Sequence, residues 1–158
     1  MDANHRHFVG IDLKIHLGVI DVPEPLGNTT FGVGTILEEK YGLFSAFADN
    51  NAQFMADAIA NDVAGAMETY LMTGEFSGNP FAGAGDKISQ RMREFISLQE
   101  VERLGIPGVP TQAALEGKTL RKKKVGKKGK QLVRSYGPRR PSFIDSGTLE
   151  KSLKAWID

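Results

Sequence analysis

A chain of 158 residues, 41% apolar and 25% charged, is sized and composed for one folded domain: a core of that size buries about 70% of the unfolded surface, and neither a second full domain nor wholesale disorder fits. It has no cysteine, which excludes a disulfide framework and thiolate zinc sites and suits a reducing compartment. The net charge of +1 conceals a division at Gly117: residues 1–117 carry 7 Lys+Arg against 16 Asp+Glu, whereas residues 118–158 carry 13 against 3. An acidic body and a basic arm are the expectation, suited to a polyanion or to the acidic body of a second copy.

The first element in chain order is FVGIDLKIHLGVID, residues 8–21, with Val9, Ile11, Leu13, Ile15, Leu17 and Val19 on alternate positions. That period predicts a strand. DVPEPLGNTT then supplies two prolines and a Gly-Asn turn, and FGVGTILEE, residues 31–39, is expected to return as the second strand of a hairpin. From residue 43 to 72 the period changes, with Phe44, Phe47, Phe54 or Met55, Ile59, Val63, Met67 and Leu71 recurring three or four residues apart. The spacing predicts an amphipathic helix of about eight turns. Its many alanines leave room for another helix or a neighbouring subunit to come close. TGEFSGNPFAGAGD is a Gly-rich connector, after which Asp86 is expected to cap a second helix running to Leu104. Ile88, Met92, Phe95 or Ile96, and Val101 or Leu104 form its apolar face, and GIPGVP stops it.

No acid occurs between Glu116 and Asp145, while Lys118, Arg121, Lys122, Lys123, Lys124, Lys127, Lys128, Lys130, Arg134, Arg139 and Arg140 fall in that interval. This stretch is either a solvated hairpin with VGKKGK at its tip or a loop that orders against a partner. Beyond it, Asp145 is expected to cap a helix beginning at Ser146, with Ile144 and Leu149 stapled across the cap. Leu149, Leu153, Trp156 and Ile157 would then share one apolar face, docked on the chain's own body or on an adjacent subunit. The elements add up to an α+β fold. A small antiparallel sheet packs on one or two long helices over residues 1–117, and residues 118–158 add the basic arm and a short C-terminal helix within the same domain.

Motifs for chemistry are sparse. Gly117-Lys118-Thr119 ends like a phosphate-binding loop, but Gln112 stands where its first glycine belongs and no hydrophobic strand precedes it. His5, His7 and His16 with Asp2 and Asp12 are the only plausible ligand set, and the recognised zinc spacings are missing, so a polar solvent-facing edge accounts for them better. Ser45, Ser89, Ser97 and Ser142 sit beside no histidine in sequence, leaving no nucleophile and base to name. No catalytic, metal or cofactor site is therefore expected. The basic arm carries the stronger signal: its cations can neutralise phosphates and release counterions, although Tyr136 alone supplies no stacking platform. The apolar runs are shorter than a membrane span and the acidic start MDANHRHF lacks a signal-peptide layout, so a soluble cytoplasmic product is expected.

The stretch RRPSFIDSGTLEKSLKAWI resembles a P-x-[ILV]-D-[ST]-G-x-L-x-x-S-[IL] segment of tailed-bacteriophage neck, head-tail connector and tail-completion (tail terminator-like) proteins. Ile144, Asp145, Ser146, Gly147, Leu149, Ser152 and Leu153 carry the match, and Pro141 stands one residue farther upstream than the pattern places its proline. The resemblance implies a small twisted sheet with one or two long helices, assembly of identical copies into a six- or twelve-fold ring, and contact with portal, adaptor or tail proteins. It also implies a structural, non-enzymatic role in the virion, made in the host cytoplasm, without a cofactor. Ile144, Asp145, Leu149, Leu153, Trp156 and Ile157 would lock onto the next subunit. The arm, through Arg121, Lys122, Lys123, Lys124, Lys127, Lys128, Lys130, Arg134, Arg139 and Arg140, would reach a neighbour or packaged DNA. The rival expectation is a nucleic-acid-binding module that uses residues 118–140.

Overall fold

The first and last strands of the described chain pair with each other. In the computed structural model, which describes residues 13–24, 27–75, 78–124 and 130–158, β1 (Ile15–Val19) runs antiparallel to β4 (Leu153–Ile157), with Leu17 opposite Ala155. Alternation sets the facing of this ribbon: Leu153, Ala155 and Ile157 are buried, and Trp156 turns to the other side. The strand expected over residues 8–21 is thus present at Ile15–Val19, and residues 8–12 lie outside the described set.

The hairpin partner expected at residues 31–39 is instead a helix, α1 (Thr30–Tyr41). Its ends explain the outcome. Thr29, in extended conformation, accepts a hydrogen bond from Gly32 N through Oγ1, and Asp21 Oδ1 accepts one from Phe31 N. At the far end Gly42, at φ +60°, donates its N–H to Glu38 O, a left-handed cap that favours glycine. The buried Thr30 hydroxyl donates to Ile20 O at 2.7 Å and accepts from Val22 N at 2.9 Å, holding the start of α1 against the end of β1. Gly34 costs intrinsic helix propensity, yet a Cβ there would stand 3.4 Å from Val19, so its absence lets helix and strand approach.

Helix α2 (Leu43–Thr73) is the long helix expected, 31 residues and about 46 Å. Glu38 reaches across from α1 to cap it, accepting from Phe44 N at 2.6 Å and from the Ser45 hydroxyl. Non-helical φ/ψ at Asn51 kink it, and the buried Asn51 amide donates to Phe47 O. Leu43, Phe47, Met55 and Ala58 are buried, all in the first half. Beyond them Val63, Met67 and Leu71 recur every fourth residue and are exposed.

α3 (Ala82–Ser97) buries Ile88, Met92, Phe95 and Ile96, the face expected of it. Its limits differ from expectation. It begins at Ala82, so Asp86 lies within the helix, where it pairs with Lys154 of β4 at 2.6 Å. The free amide near its start is satisfied across space by Asp62 of α2, which accepts from Ala84 N and pairs with Lys87 at 3.6 Å. Its end falls at Ser97 because Gln99 adopts φ +60°, breaking the ladder before a 3-10 turn over Glu100–Leu104. Val101 on that turn is fully buried, whereas Leu104 is exposed.

β4 lies against α3, and two residues on α3 permit it. A Cβ on Gly85 would meet Ala155 O at 3.1 Å, and the buried Ser89 hydroxyl accepts from Ala155 N at 2.8 Å while donating to Gly85 O. Phe47 and Phe95 meet edge to face, with centroids 5.5 Å apart, at the centre of the core shared by α2, α3 and β4. The C-terminal helix expected from Ser146 to the end is confined to α5 (Thr148–Ser152). Gly147 is its N-cap and no side chain caps it, so Asp145 does not play that part. Strand pairing with β1 has replaced the remaining turns, because a short helix gains little alone while LKAWI alternates as a half-buried strand does. No helix among the described residues is long and apolar enough to cross a membrane.

Candidate assembly surfaces

The basic stretch folds as a second two-stranded ribbon, β2 (Thr119–Lys124) antiparallel to β3 (Lys130–Ser135), paired from Thr119↔Ser135 to Lys124↔Lys130. Of the two forms expected for it, the hairpin is the one present, and residues 125–129, with Lys127 and Lys128, lie outside the described set. Arg121, Lys122, Lys123 and Lys124 sit on β2, and Lys130 and Arg134 on β3. The ribbon's packing is chiefly between its own strands.

Its root is fastened by residues that the sequence assigned to contact with others. Glu102, its side chain only 5% exposed, accepts from Arg139 at 2.6 Å and from the amide and hydroxyl of the fully buried Ser142 at 2.9 and 2.8 Å. Burial alone would push the Glu102 carboxyl up; the Ser142 hydroxyl and amide and the Arg139 guanidinium outweigh it and hold the group below the usual range. Ser142 Oγ also accepts from Thr111 N, beside short helix α4 (Gln112–Leu115). Arg140 donates to Lys118 O and to Ile144 O and lies 3.7 Å from Asp145. Gly117, at φ +57°, is required here, since a Cβ would overlap Gly137 O at 2.2 Å. The Gly117-Lys118-Thr119 run is therefore the turn into β2, and Arg139 and Arg140 anchor the arm within its own chain.

The six residues expected to grip a neighbouring subunit separate into two groups. Leu149, Leu153 and Ile157 are buried in the chain's own core, and Ile144 packs partly buried against it. Asp145 is exposed beside Arg140, and Trp156 is 48% exposed. The Trp156 ring stacks on His16 of β1, centroids 5.3 Å apart and planes within 5°, above Gly18, where a Cβ would stand 3.2 Å from the indole. His16 Nε2 lies 2.6 Å from Asp158 Oδ1. His5, His7, Asp2 and Asp12 lie outside the described residues, and among those described no three His, Asp or Glu side chains are grouped to hold a metal ion.

Beside the β1–β4 ribbon runs a groove of about 380 Å³ between β1 and α1. Leu17, Val19, Phe31, Phe44 and Trp156 give it an apolar lining, and Glu38 and Glu39 are its only charged lining among the described residues. Sequence periodicity could not show it, because it assigned α1 to a strand. Acidic groove and basic ribbon are the two surfaces that the charge division at Gly117 foreshadows. The chain matches no protein-family profile, no curated protein and no solved structure.

Proposed function

We propose that this protein is a structural component of a tailed-bacteriophage virion, forming a homo-oligomeric ring in the neck at the head-tail junction or completing the tail. The observation that carries the reading is the basic hairpin: strands TLRKKK and KQLVRS stand on a root locked by Glu102, Arg139, Arg140 and Ser142, while residues 1–117 carry 7 Lys+Arg against 16 Asp+Glu. A cationic extension fastened at its root to an acidic body is the charge layout that favours head-to-tail contact between identical copies. The likeness of residues 139–157 to neck and tail-completion proteins supports the same role. The exposed Val63, Met67 and Leu71 on the far half of α2 add apolar surface for a neighbour.

A second reading, a nucleic-acid-binding module acting through residues 118–140, is favoured by the absence of any acid between Glu116 and Asp145. Native mass measurement with negative-stain imaging, over a range of concentration at low and high salt, separates the two. Closed rings support the virion reading. A persistent monomer that binds duplex DNA or RNA, with affinity falling steeply as salt rises, supports the second and displaces the first.

A further inference from the structure

We infer that the outer edge of β1 accepts, by strand addition, the basic β2–β3 hairpin of a second copy of this chain. The inference rests on the reading of a self-assembling protein and names the two surfaces that meet. Hydrogen bonding fixes which groups are free. Lys14 and Asp158 exchange both backbone hydrogen bonds, at 2.7 and 3.1 Å, and Ile20 N donates to Ser152 O. In an antiparallel pair this alternation turns the even positions of β1 toward β4 and the N–H and C=O of Ile15, Leu17 and Val19 outward. Among the described residues no other strand lies on that side, so the ribbon stops at two strands.

An open edge is a template for another strand, and a two-stranded ribbon is marginal until more strands or a helix cover it. The molecule holds two such ribbons: β1–β4 has one face covered by α3, and β2–β3 stands largely on itself. Joining them between copies would make a four-stranded sheet. The lengths agree, with 5 residues in β1 and 6 in each hairpin strand, or roughly 17 and 20 Å.

Charge selects this occupant over a second copy of the edge itself. Among the described residues Glu38 and Glu39 line the groove along β1 and no cation does, so two such grooves face to face would repel. Strands of sequence TLRKKK and KQLVRS bring the opposite charge. Phe31, 63% exposed, and Trp156 flank the groove and offer apolar and aromatic surface to lysine and arginine stems. Edge and hairpin are different surfaces, so the contact is heterologous and repeats from copy to copy until the rotation closes it.

The test compares the full chain with Ile15→Pro. Proline at 15 removes an outward N–H and leaves the ladder to β4 intact. The expected result is a salt-sensitive wild-type assembly and an Ile15→Pro protein that keeps its circular dichroism yet is monomeric at concentrations where wild type assembles. Undiminished assembly of Ile15→Pro overturns strand addition while leaving the ring reading in place; a wild type monomeric at every concentration overturns both. If Ile15→Pro fails to fold, hydrogen exchange on the unmodified protein decides. Amides of Leu17 and Val19 should slow by roughly tenfold or more on assembly. Unchanged rates in an assembled sample overturn the inference.

Discussion

The two ribbons of this molecule have the same construction and different fates. β1–β4 is assembled from strands more than a hundred residues apart and is fixed by what lies under it: Leu153, Ala155 and Ile157 are buried, and Ser89 of α3 takes the Ala155 amide. β2–β3 is a local hairpin, formed by neighbours in sequence and held at its root by polar contacts. The first ribbon derives its stability from tertiary packing. The second is defined by its register, its charge and a few hydrogen bonds where it leaves the body. Damage to the core should therefore unfold the first, whereas damage to the root should free the second without melting the molecule.

The largest expected effect is Phe95→Ala. Its ring is buried edge to face on Phe47, and truncation of such a residue costs about 3–5 kcal/mol, read as a lower midpoint in urea unfolding. Replacing β2–β3 by a short Gly-Ser linker is the matching experiment. It should leave that midpoint nearly unchanged, and a comparable loss would show that the hairpin belongs to the core. Next comes Ser89→Ala, which leaves the buried Ala155 amide without its acceptor, at a cost of about 1–3 kcal/mol. Threonine at the same position would retain the hydroxyl, so partial recovery by Ser89→Thr distinguishes the hydrogen bond from packing.

At the root of the second ribbon the effect is smaller and depends on pH. The folded-state pKa of Glu102 is depressed, so its contribution is fully present above the unfolded value of about 4.3 and is lost as pH falls through the lower folded value. Hydrogen exchange at Ser142 and Arg140, corrected for intrinsic rates, should accelerate across that acid window relative to amides of α3. Glu102→Gln should give the accelerated exchange already at neutral pH and flatten the dependence. A root equally protected in wild type and Glu102→Gln at every pH would remove Glu102 as the fastening.

What could be read from the residues follows the range of the interactions. Helix α2 and the buried face of α3 announce themselves through local periodicity, and both are present; charge marked out the basic stretch but left hairpin and loop both open, and the hairpin is the form present. The pairing of β1 with β4 could not be read, since its partners lie at opposite ends of the described chain and LKAWI continues the spacing of a helix from Leu149 as plausibly as it begins a strand. The helix at Thr30–Tyr41 was hidden by its β-branched and glycine content, although Thr29 and Gly42 were legible caps that outweighed it. Asp62 capping α3 and Glu102 fastening the arm are long-range contacts with no sequence signature. Trp156, expected on one helical face with Leu149, Leu153 and Ile157, sits instead on a strand, where alternation turns it to the opposite side from the buried Leu153 and Ile157.

That placement gives the last and smallest effect on folding. Trp156 is 48% exposed and touches its own chain mainly through the stacked His16 ring and the space above Gly18. Trp156→Ala should cost the isolated chain about 0.5–1.5 kcal/mol, the range for an aromatic pair. The effect on association should be larger, because a half-exposed indole lining the acidic groove is the kind of side chain that dominates an interface. Unfolding midpoints of monomer and native mass of assembly, measured on the same Trp156→Ala sample, report the two quantities separately. Equal losses would place the indole among the residues that hold β4 to β1. A loss confined to assembly would place it in the contact between copies, on the same side of the ribbon as the open edge of β1.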